Sequence, residues 1–93
     1  MALTLVMVAT IPAGGVASFG EYEGQVIPLI KDYGGTLERR LRTKDGLREM
    51  QIVTFSSMED FEAYRGDARR LQHVHLLAAS GAKNELFEME NVE

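Results

Sequence analysis

Ala2-Leu3-Thr4-Leu5-Val6-Met7-Val8-Ala9-Thr10-Ile11, closed by Pro12-Ala13-Gly14-Gly15, is the stretch that decides the fold. It is rich in β-branched and apolar residues and ends in turn formers, the pattern of a strand. Taken alternately, Leu3, Leu5, Met7, Ala9 and Ile11 make one set, and Ala2, Thr4, Val6, Val8 and Thr10 the other. Both sets suit burial, which predicts a strand covered on its two faces. A two-layer domain covers only one face of its sheet, so the second face needs another cover. A secretory leader would need a basic start, and a membrane helix about 20 apolar residues. The run beginning at Met1 has neither, and a soluble, cytoplasmic protein is the expectation.

Downstream, Ser18-Phe19-Gly20-Glu21 has the Ser-x-x-Glu form of a capping box and predicts the start of a helix. Phe19, Tyr22, Val26, Leu29, Ile30 and Tyr33 recur at helical spacing, and Gly34-Gly35 supplies the stop. Pro28 lies inside this pattern and predicts a kink, because it cannot donate to the carbonyl of Gly24. Gly20, Gly24 and Pro28 leave one side smooth, open to close approach by a backbone or a ligand. Thr36 to Arg42 and Leu47 to Phe55 then flank Thr43-Lys44-Asp45-Gly46, whose Asp-Gly pair marks a hairpin. Leu37, Arg39 and Leu41 alternate with Glu38, Arg40 and Arg42, which reads as an edge strand with a charged face. The strand carrying Met50, Ile52, Val53 and Phe55 reads as central.

Ser56-Ser57-Met58-Glu59-Asp60 offers two overlapping capping boxes for a second helix, with Phe61 and Tyr64 inward. Gly66-Asp67 breaks it, and Asp67 caps a further helix from Ala68 to Ser80, stopped by Gly81. Leu71, Val74, His75 and Ala78 are its expected apolar face. The last strand spans Ala82 to Val92. The order is β-α-β-β-α-β, which predicts an α+β, ferredoxin-like domain over residues 1–93. Its four-stranded antiparallel sheet would carry the helices on one face. The cover for the other face is then a second copy, two sheets packing as a homodimer.

Composition narrows the function. The 93 residues are 45% hydrophobic and 26% charged, with a net charge of −4, which argues against disorder. The acidic balance argues against nucleic acid. With no cysteine there is no disulfide, thiolate nucleophile or cysteine-held metal. Gly14-Gly15 is followed by Val16-Ala17 and not by a Lys-Ser/Thr pair, so no phosphate loop is present. The helices mix acids with bases, which disfavours a membrane surface. No cofactor and no metal are expected.

Val26-Ile27-Pro28-Leu29-Ile30, Tyr33-Gly34-Gly35-Thr36-Leu37-Glu38-Arg39-Arg40 and Val53-Thr54-Phe55-Ser56-Ser57, with Phe61 and Tyr64, resemble the small dimeric α/β-barrel proteins. Within them the chain is most similar to the domain-of-unknown-function family whose helix ends in Tyr-Gly-Gly and whose strand ends in Phe-Pro-Ser. Ser56 stands here in place of that proline. The resemblance spans nearly the whole chain, but its motifs are a helix cap, an edge strand and a helix start. It implies the fold and a dimeric α/β barrel. Related branches include cofactor-independent monooxygenases of aromatic natural products, haem-degrading enzymes and lactone isomerases. The haem-degrading branch relies on an Asn/Trp/His set, and this chain has no tryptophan.

His73 and His75 are the only histidines, and on a helix two positions apart they point roughly 200° from each other. They cannot chelate one metal. His75 reads as a core or interface histidine or, functionally, as a pocket residue with Tyr22 and Tyr33. The tyrosines have a plain reading too, as amphipathic residues at the rim of a small core. Glu21 is explained by the capping box and Glu23 by the helix dipole. Glu49, an acid on a central strand, must be paired or solvated, with Arg40 or Arg42 as its mate. It is also an acid/base candidate for the pocket.

The stretch from Glu38 to Glu49 carries a net charge of +2, while Glu85, Glu88, Glu90 and Glu93 give the end of the chain −4. These segments form opposite sheet edges. The expectation is that Arg40 and Arg42 of one copy approach Glu88 of another and set the dimer register; two solvated edges are the plain alternative. Two functions remain open. One is a small apolar or aromatic ligand held between helices and sheet, with cofactor-independent oxygenase or isomerase chemistry. The other is a non-catalytic dimer with a structural or regulatory role. A pocket wider than one side chain with convergent polar tips favours the first. An interface filled by Phe19, Phe61, Leu71 and Leu77 favours the second.

Overall fold

The structure, a computed structural model, describes residues 2–92. Strand β1 (Leu3–Thr10) leads through a 3-10 turn, Ala13–Gly15, into helix α1 (Val16–Val26). The chain continues as a 3-10 helix, Ile27–Tyr33, into β2 (Gly35–Arg42), β3 (Arg48–Phe55), α2 (Met58–Arg65), α3 (Ala68–Gln72), α4 (Val74–Ser80) and β4 (Lys83–Met89). The sheet order is β2-β3-β1-β4, every neighbouring pair antiparallel, so β2 and β4 are the edges. This is the ferredoxin-like arrangement that the order of elements predicts.

The start of α1 differs from its expected place. It begins at Val16 behind Gly15, with no side-chain cap, and Ser18 lies inside the first turn. Gly15 fixes the position by packing. A Cβ there would lie 1.8 Å from the Ser80 carbonyl oxygen, so the helix starts where its backbone touches the end of α4. Pro28 acts as expected: the α-helix stops at Val26 and the tighter 3-10 coil carries the chain on. Gly34 ends it in the left-handed conformation, φ 70°. Ser57 caps α2, its hydroxyl accepting from the Asp60 N–H at 3.1 Å, and Asp67 caps α3 by accepting from Arg69 N–H at 2.7 Å.

Two further expectations are corrected. The segment Ala68–Ser80 is two short helices broken at His73, and the turn re-aims the second. Leu71, Val74, His75 and Ala78 face outward, Leu71 at 57% exposure, while Leu77 and Ser80 turn inward. In β2, the register slips between Leu37 and Arg39. This bulge puts Leu37, Arg40 and Arg42 opposite Val53, Gln51 and Glu49, the helix-facing residues of β3. Arg39 and Leu41 take the other face. A strict alternation cannot show such a slip.

The core lies between helices and sheet. Leu3, Leu5, Leu29, Ile30, Val53, Phe55, Phe61 and Tyr64 form the larger cluster, and Ala9, Ile11 and Phe19 a smaller one. The opposite sheet face carries Val6 and Val8 with Ile52, Met50 and Leu41 on one side and Phe87 and Met89 on the other. Phe87 is 45% and Met89 48% exposed in the single chain. Among the described residues, no element covers the apolar second set of β1.

Candidate functional site: a cavity between helices and sheet

The two core clusters do not meet. Between them, against the sheet, is a cavity of about 240 Å³. Its floor is Leu5 and Met7 of β1, Gln51, Val53 and Phe55 of β3, and Asn84 and Leu86 of β4. Its roof comes from α1 through Tyr22, Glu23 and Val26, from α2 through Phe61 and Tyr64, and from Arg70 and Leu77. The wall is mostly apolar, with a few polar tips converging on it, the usual make-up of a small-molecule site.

One polar group is a buried chain of side chains. Gln51 Nε2 donates to Glu23 Oε2 at 2.8 Å and to Glu49 Oε2 at 2.6 Å. Glu49 also accepts from Arg40 Nε at 3.0 Å and from Arg42 Nε and Nη2 at 2.9 and 2.6 Å. The two carboxyls are driven apart. Glu23 is held above its ordinary value, first by burial and further by the negative charge of Glu49; the Gln51 hydrogen bond only partly offsets this. Burial also pushes Glu49 upward, but the bonds from Gln51, Arg40 and Arg42 together outweigh it and hold it below the ordinary range. Glu49 is thus a fixed anion, and Glu23 a carboxyl suited to exchange a proton.

The second polar group is aromatic and cationic. Arg70 Nη2 donates to the Tyr22 hydroxyl at 3.0 Å and Nη1 to the Arg65 carbonyl at 3.1 Å, while the guanidinium lies 4.6 Å from the Tyr64 ring centroid. Burial raises Tyr22, with Arg70 pulling it back. Tyr64, which donates to the Val26 carbonyl at 3.3 Å, is pushed up to about 12, chiefly by burial. Both phenols stay protonated and act as donors and acceptors, not as bases.

Of the residues singled out in the sequence, Tyr22 lines the cavity and Glu49 reaches it only through Gln51. Tyr33 lies outside the lining; its hydroxyl donates to Asp67, which Arg69 also grips at 2.9 Å. The bonds from Arg69 and then Tyr33 hold Asp67 far below the usual carboxylate range. His75 is exposed on α4 and away from the cavity, because the break at His73 rotates the apolar face assumed for one continuous helix. Arg40 and Arg42 point to the helix side and are gripped by Glu49 of their own chain; Glu88, opposite Leu5, shares that side at the other edge. Glu23, Gln51 and Arg70 are the residues that sequence reasoning passed over. Glu23 had a readable signal: it falls between Tyr22 and Val26, four positions after Phe19, inside the apolar stripe.

No protein-family model matches the sequence, and no curated protein matches it. Solved structures do. The chain is similar to SnoaB, a cofactor-independent oxygenase from Streptomyces nogalater, at a TM-score of 0.75 and 20% identity, over 98% of this chain and 95% of that one. It is similar to a candidate antibiotic biosynthesis monooxygenase from Nitrosomonas europaea, at 0.71 and 16% identity, over 95% and 89%. A dimeric ferredoxin-like protein of unknown function from Jannaschia sp. CCS1 matches at 0.69 and 16% identity, over 95% and 99%. At these identities the likeness is one of fold. The chain shares the ferredoxin-like fold of these proteins.

Proposed function

We propose that this chain forms a homodimeric α/β barrel that binds a small, flat, apolar or aromatic ligand in the cavity and oxidises it with dioxygen, without a cofactor. The observation that carries the reading is the cavity itself: wider than one side chain, apolar in its walls, with Tyr22, Glu23, Gln51 and Arg70 converging on it. The interface is not filled as a purely structural dimer would need. Leu71 is exposed, Phe19 belongs to the other cluster, and Phe61 and Leu77 wall the space without closing it.

The chemistry follows from Glu23. A phenol, or a ketone with an acidic C–H, gives its proton to the Glu23 carboxylate and leaves an electron-rich anion. Such an anion passes an electron to dioxygen without help. A carboxyl raised by burial suits this role, because it is a stronger base than a carboxylate in water. The fold shared with a cofactor-independent oxygenase supports the reaction class. Dimerisation is supported by the uncovered apolar sheet face and by the dimeric ferredoxin-like neighbour.

The test is oxygen uptake with fused-ring phenols and enolisable ketones, alongside binding of the same compounds. Uptake that falls about 10²- to 10⁴-fold in Glu23→Gln and vanishes in Met7→Trp, which fills the cavity, is the expected result. Binding without uptake would remove the oxygenase reading. No binding at all would leave the non-catalytic dimer.

A further inference from the structure

Among the described residues, the only buried side-chain nitrogen or oxygen without a hydrogen-bond partner is Arg70 Nε. The rest of that guanidinium meets only neutral groups: the Tyr22 hydroxyl, the Arg65 carbonyl and the face of Tyr64. The other arginines near the core are paired, Arg40 and Arg42 with Glu49 and Arg69 with Asp32 and Asp67, but Arg70 forms no salt bridge among the described residues. A guanidinium that lines an apolar wall without a salt bridge is costly unless an anion faces it, and because Nε itself is sealed from the cavity an anion would meet the outer nitrogens. Glu23 feels the charge of Arg70 but makes no salt bridge with it, its carboxylate being turned to Gln51 on the sheet side.

We propose that the ligand of this cavity carries one anionic oxygen group on a flat apolar frame, and that Arg70 with Tyr22 is the subsite that holds it. The inference rests on the ligand-binding reading above and adds the charge of the ligand. A fork of N–H donors matches a carboxylate or a phenolate oxygen, and the Tyr22 hydroxyl, already oriented by Arg70, supplies a further donor. A cavity of about 240 Å³ with apolar walls has room for one such group on a ring system, and the other cation of its lining, Arg65, is paired with Glu62 at 3.6 Å. The subsite also fits the proton transfer proposed for Glu23: the proton leaves toward the sheet and the negative charge stays at the helix side.

The experiment titrates the intact protein with 2-naphthoate and with its neutral counterpart, 2-naphthylmethanol. Naphthoate should bind about tenfold or more tightly, the effect of one charge-assisted contact. The preference should disappear in Arg70→Met, with the two compounds then binding alike. Arg70→Gln, which keeps donors and removes the charge, should behave alike and serves if the Met variant does not fold. Equal affinities in the native protein, or a preference that survives both substitutions, would overturn the inference and leave the cavity reading standing. Failure of both compounds to bind would overturn the cavity reading and this inference with it.

Discussion

At the scale of single residues, the two glutamates of the Glu23–Gln51–Glu49 chain make opposite contributions to stability. Glu49 has a lowered carboxyl, so its stabilisation is present above the unfolded value near 4.5 and is lost as the pH falls through the folded one. Glu23 is raised; its ionisation weakens the fold as the pH rises from about that same unfolded value through the folded one. Glu49→Gln should therefore destabilise the protein at pH 7, by about 1–3 kcal/mol. That lies below the 3–5 kcal/mol typical of a broken buried pair, because Arg40 and Arg42 keep about a third of their surface in water. Glu23→Gln should raise the melting temperature at pH 7 while lowering activity, since Gln still accepts from Gln51 and carries no buried charge. Both differences from the native protein should shrink toward pH 4 in thermal melts followed by circular dichroism. A Glu23→Gln variant less stable at pH 7 than at pH 4, relative to the native protein, would contradict the assignment. Gly15 makes a further residue-scale case. Gly15→Ala forces a methyl onto the Ser80 backbone, which cannot give way as a side chain can, and a loss of about 3 kcal/mol is expected. For a chain of this size that is a drop of about 12 °C or more in Tm.

At the scale of elements, the sequence was legible wherever a local signal fixed the structure. Asp45-Gly46 made the hairpin turn, with Gly46 at φ 78°, and Gly34 and Gly81 ended their helices in the left-handed conformation. It misled where two signals competed or where the cause was distant. Ser18 and Ser57 both head a plausible capping box, yet only Ser57 caps, because the start of α1 is set by Gly15 against α4, more than sixty residues later in the chain. The same distance effect hid the site. That Arg70 would reach Tyr22 from α3, or Gln51 reach Glu23, depends on how helices lie over the sheet. His75 was misplaced because one break at His73 turns a continuous apolar stripe into two helices with different inward faces. The contrast between the two serines is testable. Ser57→Ala should cost about 1 kcal/mol in urea unfolding, the ordinary worth of a cap. Ser18→Ala, inside a helix where alanine is the better former, should be neutral or slightly stabilising. Equal losses would mean that α1 starts later than Val16.

At the scale of the molecule, the proposed homodimer turns on the face of the sheet away from the helices. Val6 lies between Ile52 on β3 and Phe87 on β4, and with Val8, Met50 and Leu41 they form one apolar surface from edge to edge. The charges that share this face are Arg39 on β2, Arg48 on β3, and Lys83 and Glu85 on β4, Arg48 and Lys83 both opposite Thr10 and Glu85 opposite Val8. Arg40, Arg42 and Glu88 point to the helix side, so charge complementarity between two facing sheets rests on Glu85 against Arg39, Arg48 or Lys83. A stable interface buries about 1,200–2,000 Å² with an apolar centre and a polar rim, and this face offers that composition. Phe87→Glu tests it with little risk to the fold of one chain, since Phe87 is 45% exposed and β4 is an edge. Sedimentation should show the native protein at twice the 10.3 kDa chain mass and the variant at the chain mass. Because the cavity lies on the other side of the sheet, the variant should keep its binding of 2-naphthylmethanol while melting at a lower temperature that no longer depends on concentration. A native protein that sediments as a monomer would leave the apolar set Val6 and Val8 without a cover and remove the barrel.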